Sequence, residues 1–364
     1  LTSTTVVIPT YNERENLEEL TERIHGAFKQ DYEILVVDDS SPDGTAEEAE
    51  RIGDETDRNV RVVVRNENPG LSKSVVEGFR QASGDNIIVM DADLQHPPEK
   101  APEIAEKITE ETPVVVGSRY GEDGGIDGWS TTRKIVSRGA ITLAKVFAPA
   151  SRKSSDPVSG FFGVRKDRVD PEKLSPHGYK ILLDVLQQVN PEEIPEVGFR
   201  FSEREEGKSK LSIGEYIKYL EHLADLRLNH HGVDRYVDTR KLIRMGEFST
   251  VGASGAVINT AIFMTSVGFT HYLLAGFLAF LGAVQWNFAW NWLITFDKPE
   301  NGIKEQYAKF HAVSAGGFVV YEIALAILIG LMGLPELPSN IGAIFAGFLW
   351  NFAGSEEFAF HHDR

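Results

Sequence analysis

Apolar residues follow two regimes along the 364-residue chain. Up to about residue 245 they come in runs of four or five, at 4–8, 33–37, 60–64, 87–90 and 114–118. Between these runs the spacing is helical: Leu17, Leu20 and Ile24 share one face, a second helix spans 70–82, and a third follows Pro98. Short apolar strands alternating with helices predict a parallel sheet with helices on both faces. Beyond 245 come long uncharged runs at 250–269, 272–296, 310–332 and 340–355. The first three are long enough to cross a bilayer, and the fourth needs residues up to about 360. Between the regimes, Ile213, Tyr216, Ile217, Leu220, Leu223 and Ala224 keep helical spacing. They predict a helix on the membrane surface, followed after Gly232 by a second short helix. The division expected is 1–211 for the α/β domain, 212–245 for amphipathic interface helices and 246–364 for a four-helix transmembrane domain.

The apolar half repeats itself. Phe248, Val251, Ala253, Gly255 and Val257 match Phe310, Val313, Ala315, Gly317 and Val319. Trp286-Asn-Phe-Ala289 with Phe296 matches Trp350-Asn-Phe-Ala353 with Phe360. Two hairpins entering from one side are expected. The loops near 270 and 333–339 lack Lys and Arg, whereas 297–309 carries Lys298, Lys304 and Lys309. The positive-inside rule then places that loop and the α/β domain in the cytoplasm. No signal peptide precedes the first strand, which agrees. Glu322, inside an apolar run, is expected to face other helices.

The mean hydropathy of −0.20 averages two unlike halves. A net charge of −17 argues against a nucleic-acid partner, and suits either a salt-adapted source or ordinary acidity. The absence of cysteine excludes disulfides, thiol catalysis and cysteine-held metals. Neither a Gly-X-Gly-X-X-Gly after the first strand nor a P-loop is present, which counts against a dinucleotide oxidoreductase and a P-loop enzyme.

The run 87–90 ends in Asp91 and Asp93, with Gln95 close behind and Pro97 and Pro98 ending the strand. Open α/β sheets bind ligands at this carboxyl end. Two carboxylates and an amide oxygen offer hard ligands to Mg²⁺ or Mn²⁺ shared with a substrate's phosphates; a solvated acidic loop is the plainer reading.

Three segments make the resemblance specific: Val6-Val-Ile-Pro-Thr-Tyr-Asn-Glu13, Val36-Val-Asp-Asp-Ser-Ser-Pro-Asp-Gly-Thr45 and Asp91-Ala-Asp-Leu-Gln-His-Pro-Pro98. They resemble family 2 glycosyltransferases of GT-A (Rossmann-like) fold. With Gly117-Ser-Arg119, Ser159-Gly-Phe-Phe162 and Gly207-Lys-Ser-Lys-Leu211, the likeness narrows to polyprenyl-phosphate glycosyltransferases, and among them to the dolichyl-phosphate mannose synthases. The apolar half resembles the GtrA-like membrane domain. Ser72, Ser74 and Val75 depart from the family pattern, and read as packing positions.

The resemblance implies an inverting, metal-dependent transfer of a sugar, mannose from GDP-mannose being favoured by His96 and the overall match, onto dolichyl (polyprenyl) phosphate. Pro9, Tyr11, Glu13, Val37, Asp39, Asp91, Ala92, Asp93, Arg204 and Lys210 would bind the nucleotide sugar. Asp91, Asp93 and Gln95 would hold Mg²⁺ or Mn²⁺. Arg119, Arg133 and Ser137 would clamp the acceptor phosphate, Arg119 joining Asp91 and Asp93 as catalytic. For Tyr11 and Asp39 a sheet-edge wall and a helix cap are the competing roles, and for the basic run 200–210 a solvated surface. Asp156 is expected to orient its loop. A lipid monophosphate is already anionic, so the transfer needs alignment and charge screening more than a general base. UDP-glucose as donor, a processive synthase and a lipid-linked sugar transporter are the alternatives. The Gln-X-X-Arg-Trp acceptor motif of processive synthases is absent.

Overall fold

The structure is a computed structural model that describes residues 3–67, 69–174, 180–201, 213–230, 239–266, 268–296 and 302–360. The chain divides into two compact units, Leu1–Gly232 and Val233–Arg364.

In the first unit the predicted alternation is present: β1 (Thr4–Thr10), α1 (Arg14–Ala27), β2 (Tyr32–Asp38), α2 (Thr45–Glu55), β3 (Val60–Val64), α3 (Leu71–Gln81), β4 (Asn86–Val89), α4 (Ala101–Lys107) and β5 (Val114–Ser118). Then follow β6 (Gly125–Ile126), α5 (Thr131–Phe147), β7 (Phe162–Arg165), α6 (Leu182–Val189), β8 (Glu196–Gly198), β9 (Arg200–Phe201) and α7 (Ile213–His230). One sheet has the order β3-β2-β1-β4-β7-β5-β8, and β6 pairs with β9 in a small second sheet. Strand residues alternate between two cores, as the pleat requires. Val6, Ile8, Ile34, Val36, Ile88 and Met90 pack against Leu17, Leu20 and Ile24 of α1 and Ile52 of α2. Val7, Leu35, Val37, Ile87 and Val89 pack against Val75, Val76 and Phe79 of α3 and Leu182 of α6.

The sheet is mixed rather than wholly parallel, because β7 runs antiparallel to both β4 and β5. The chain leaves β5 at its carboxyl end and, after α5, is still beside that end, where Asp156 bonds Arg119. A strand entering from there must run the opposite way. The turn Ser159-Gly160-Phe161 is thereby delivered to the same edge as Asp91. Close packing makes some glycines obligatory. A Cβ on Gly53 of α2 would lie 2.5 Å from the Val60 carbonyl oxygen, which is backbone and cannot turn aside. Gly53→Ala is therefore expected to lower stability by about 1–3 kcal/mol, measured as a fall in denaturation midpoint.

Helix α7 belongs to this unit. Tyr219, Leu223 and Leu226 join Ile141 and Ala144 of α5 and Leu183 of α6 in one core. The Tyr219 hydroxyl donates to the Ala140 carbonyl at 2.7 Å, and His222 bonds Asp184 at 2.7 Å. Thus one face of the predicted surface helix is occupied by its own domain, while Tyr216 and Leu220 point outward.

The second unit contains α8 (Thr239–Ser266), α9 (Tyr272–Trp290), α10 (Ile303–Leu325) and α11 (Glu336–Gly354). Among the described residues two helical segments, Lys241–Ser266 and Ile303–Leu328, are long and apolar enough to cross a membrane. The two hairpins share part of their contacts at the positions matched in sequence. The indoles differ: Trp286 donates to the Ser254 hydroxyl, whereas Trp350, which has Gly316 at the position matching Ser254, donates to the Val313 carbonyl. Asn287 covers Gly255, and Asn351 covers Gly317, so tightly that neither glycine could carry a Cβ in place. Both α9 and α11 end in a π-turn, Asn291–Thr295 and Ser355–Ala359. The phenylalanines that close these turns, Phe296 and Phe360, stack with centroids 4.4 Å apart. The second short helix predicted after Gly232 and through Arg244 is not separate where it is described, because residues 239–244 are the opening turns of the long α8; residues 233–238, Lys298 in the positive loop, and the side chain of Glu322 lie outside the described residues.

Candidate active site

The carboxyl ends of β1, β2 and β4 are joined by a network of polar contacts. Each is followed by a non-glycine residue in the left-handed region: Asn12 (φ 59°), Ser40 (φ 52°) and Leu94 (φ 60°). Asparagine tolerates this conformation, but leucine rarely adopts it, and such strain concentrates at functional sites. Asp38, wholly buried, ties the loops together by accepting from Thr10, from the Ser41 hydroxyl and from the Ser41 N–H. Ser41 in turn accepts from the Asn12 N–H, and Thr45 from the Glu13 N–H.

This frame places the residues expected to bind nucleotide. Pro9 pairs with Val37 across β1 and β2, and Tyr11 stands exposed at the rim. The Glu13 carboxylate accepts from the Asn16 amide at 2.7 Å. The side chains of Val37 and Ala92 point into the core, so they can offer only main chain to a ligand. Asp39 is buried and engaged: Arg65 pairs with it, Ser74 donates at 2.8 Å and the Gly70 N–H at 2.6 Å. It therefore ties the end of β2 to the residue that precedes α3; the cap expected on the next helix, α2, is not made, since that helix starts without a side-chain cap. Ser74 is accordingly more than the packing residue expected.

After β4, Asp93 accepts from the Gln95 N–H at 3.1 Å, closing the turn in which Leu94 is left-handed. His96 is buried beneath this turn, stacked on Phe161 at 5.3 Å and flanked by Phe199 and Phe201. Its Nδ1 accepts from the Asp91 N–H at 3.0 Å, which places the ring proton on Nε2. Burial lowers its pKa and keeps the ring neutral. His96 thus pins the main chain of Asp91. A Cβ on Gly160 would lie 3.2 Å from both Asp91 Oδ2 and the His96 ring, close enough that one of them would have to shift by a few tenths of an ångström. The Asp91 side chain is 36 % exposed. Two carboxylates and the Gln95 carbonyl, held by a strained turn beside a glycine gap, fit a hard divalent cation whose other ligands come from a substrate.

Across β7 lies the basic side of the site. Arg119, 10 % exposed, makes a two-pronged pair with fully buried Asp156, Nε to Oδ2 at 2.7 Å and a terminal nitrogen to Oδ1 at 2.8 Å. Aromatic faces surround its guanidinium: Phe201 at 5.5 Å, Trp129 at 5.7 Å and Tyr120 at 5.8 Å. Arg133 lies 4.1 Å over the same Trp129 ring. Ser130 caps α5 by accepting from the Arg133 N–H, and Ser137 accepts from the Tyr120 hydroxyl at 2.9 Å. Arg119, Arg133 and Ser137 are thus brought to one place by Trp129 and Tyr120. Arg204 and Lys210, together with Lys208 and Gly207, lie outside the described residues.

Sequence reasoning passed over Arg65, Tyr120, Trp129 and Lys180. Only Arg65 carried a signal, as a charge immediately after β3. Lys180 sits among Arg119, Asp156 and Asp91; burial, then the Arg119 charge, pulls its ammonium down to about 8 from an ordinary 10.5. Between those values the unfolded chain holds a proton that the folded chain has released, so stability gains with rising pH there. The difference in denaturation midpoint between wild type and Lys180→Met is expected to be constant below pH 8 and to shift in favour of wild type above it. A difference that stays flat to pH 10 would remove Lys180 from this enclosed cluster.

Comparison with known proteins places this geometry in context. Residues 5–170 match Glycosyl transferase family 2, and residues 247–360 match the GtrA/DPMS transmembrane domain. The chain is 39 % identical over 349 residues to a dolichol-phosphate mannosyltransferase of Pyrococcus furiosus, covering 94 % of this chain and 95 % of that one. A dolichol-phosphate mannosyltransferase of Mycosarcoma maydis is 40 % identical over 236 residues, 62 % of this chain and 79 % of that one. Among solved structures, glucosyl-3-phosphoglycerate synthase from Mycobacterium tuberculosis aligns with TM-score 0.48 and 19 % identity, over 64 % of this chain and 80 % of that one. On the identity it shares with its archaeal relative across nearly its whole length, the chain belongs to the dolichol-phosphate mannosyltransferase family: it is a glycosyltransferase with a membrane domain of GtrA/DPMS type.

Proposed function

We propose that the chain transfers mannose from GDP-mannose to a dolichyl (polyprenyl) phosphate at the cytoplasmic face of a membrane, inverting the anomeric centre. The observation that carries this reading is the meeting, at one sheet edge, of the Asp91/Asp93 turn with the Arg119–Asp156 pair and Arg133. The donor's nucleoside would lie along Pro9, Tyr11, Glu13 and Asp39, with Arg204 and Lys210 added from the sequence that follows β9. Asp91, Asp93 and Gln95 would hold Mg²⁺ or Mn²⁺, which when bound neutralises charge building on the departing nucleoside diphosphate. Arg119 and Arg133, with Ser137, would align the acceptor phosphate so that its oxygen meets the sugar carbon opposite the leaving group. Asp156 holds Arg119 in place and takes no proton, since the attacking phosphate is already ionised. We read α8–α11 as four spans in two like-oriented hairpins, with the loop bearing Lys298 on the cytoplasmic side.

Arg133→Ala is expected to raise the KM for lipid phosphate at least tenfold while leaving GDP-mannose affinity within about twofold. Equal losses in both would move Arg133 to the donor side. The donor is tested by offering purified protein labelled GDP-mannose or UDP-glucose with polyprenyl phosphate. Lipid-linked mannose is expected; lipid-linked glucose alone would overturn the assignment.

A further inference from the structure

All four helices of the second unit line one cavity of about 770 Å³, within the roughly 300–1,000 Å³ usual for ligand sites. Its wall follows the internal repeat in part. Phe248 and Phe310, and likewise Asn287 and Asn351, occupy matched positions in the two hairpins, and all four line it. The rest of the wall departs from the repeat. Phe318, Tyr321, Phe345 and Phe348 of the hairpin α10–α11 face the cavity, where the hairpin α8–α9 has Ala256, Asn259, Leu281 and Val284 at the matched positions. Aromatic surface is thus gathered on one side.

The two asparagines are the groups that packing does not explain. Each presses its carbonyl oxygen onto a glycine of the neighbouring helix, Asn287 onto Gly255 and Asn351 onto Gly317. Neither oxygen accepts a hydrogen bond among the described residues. With the oxygens sealed in this way, the amide N–H groups are what each residue turns to the cavity. The walls α8 and α10 hold the two segments long and apolar enough to cross a membrane, where an unpartnered amide has no bulk water to answer it. Polar groups kept inside membrane helices mark functional sites.

We infer that this cavity is a second sugar site, which takes the hexosyl head of a lipid-linked sugar. The C–H face of the ring lies on the aromatic side, and its hydroxyls meet Asn287 and Asn351. The lining selects this occupant. A hydrocarbon tail would cover the rings but leave both amides unpaired, whereas water would pair the amides and leave the rings wet. A hexose answers both. A hydroxyl donates as well as accepts, so the fit holds whichever way each amide is turned. The inference goes beyond the transfer reaction and rests on that reading only for the class of ligand, a sugar carried on a polyprenyl phosphate.

The test uses the full chain in nanodiscs, carrying Asp91→Ala so that nothing turns over and a failure of the transfer reading leaves the answer untouched. The probes are synthetic polyprenyl-phosphate mannose and polyprenyl-phosphate glucose, each with a diazirine on the sugar, photolysed and mapped by mass spectrometry. Labelling by either supports the site, whichever donor the first unit uses. Cross-links are expected around 248–253 and 314–321. An excess of the unlabelled sugar lipid should remove them, and the same excess of polyprenyl phosphate should not. Gly252→Leu is the plug: a Cβ there meets nothing within 4 Å, so the side chain enters the cavity without moving the helix, and leucine favours a helix over glycine. It is expected to lower labelling of the second unit about tenfold, with no fall in denaturation midpoint. Asn287→Ala with Asn351→Ala keeps the room and removes the amides, and should abolish the preference for sugar lipid over polyprenyl phosphate. Cross-links confined to the first unit would overturn the inference, as would labelling indifferent to Gly252→Leu. Equal competition by polyprenyl phosphate without Asn substitution would make the cavity a hydrocarbon site and overturn it too.

Discussion

Asp91→Ala and Asp93→Ala are each expected to lower transfer by on the order of 10³-fold or more, because a metal ligand facing the donor diphosphate carries several kcal/mol of charge stabilisation. The loss should be chemical rather than structural. His96 holds residue 91 through its main-chain N–H, a bond that survives removal of the carboxylate, and the side chain it would lose is partly exposed. Asp93→Ala also removes the bond that closes the turn around Leu94, so it is expected to add a loss of about 1 kcal/mol in stability that Asp91→Ala does not. Turnover assays at saturating donor and metal, with denaturation midpoints measured in parallel, separate the two effects. Near-normal turnover in either variant would end the assignment of the pair.

Asp156→Ala is expected to destabilise the first unit by about 3–5 kcal/mol. Asp156 is fully buried and Arg119 nearly so; removing the carboxylate strands a guanidinium among Phe201, Trp129 and Tyr120. Activity should fall with it, since the same pair orients Arg119. Asp156→Asn keeps the shape and one acceptor, so it should recover part of the stability while transfer stays low. Equal stability of wild type and Asp156→Ala would mean that Arg119 is solvated without its partner.

Much of this was legible in the sequence because strand ends are. Runs such as 87–90 followed by Asp91 and Asp93 located both the sheet edge and its carboxylates. The repeat of Trp286-Asn-Phe-Ala289 at Trp350-Asn-Phe-Ala353 anticipated the helix contacts that the two hairpins share. The antiparallel entry of β7 was not legible, since a strand as short as Phe162-Gly-Val-Arg165 reads alike in either direction and only the long excursion before it decides. His96 counted in the sequence only towards a mannose donor; its hold on the Asp91 main chain was not legible, because the three phenylalanines that bury it come from distant segments. Trp129 was invisible for a related reason: its use lies in stacking two arginines, Arg119 and Arg133, that approach it from different elements. Helix α7 showed the right spacing, but spacing cannot say that its partner is α5 rather than lipid.

The central claim is one direct displacement, with the acceptor phosphate aligned by Arg119 and Arg133 against a donor held at Asp91 and Asp93. The anomeric configuration of the lipid-linked mannose made by purified protein from GDP-mannose tests it most directly, read from the one-bond carbon–proton coupling of the anomeric centre. A configuration opposite to that of the donor is the result predicted. Retention would require two displacements and a nucleophile on the enzyme, and would contradict the account.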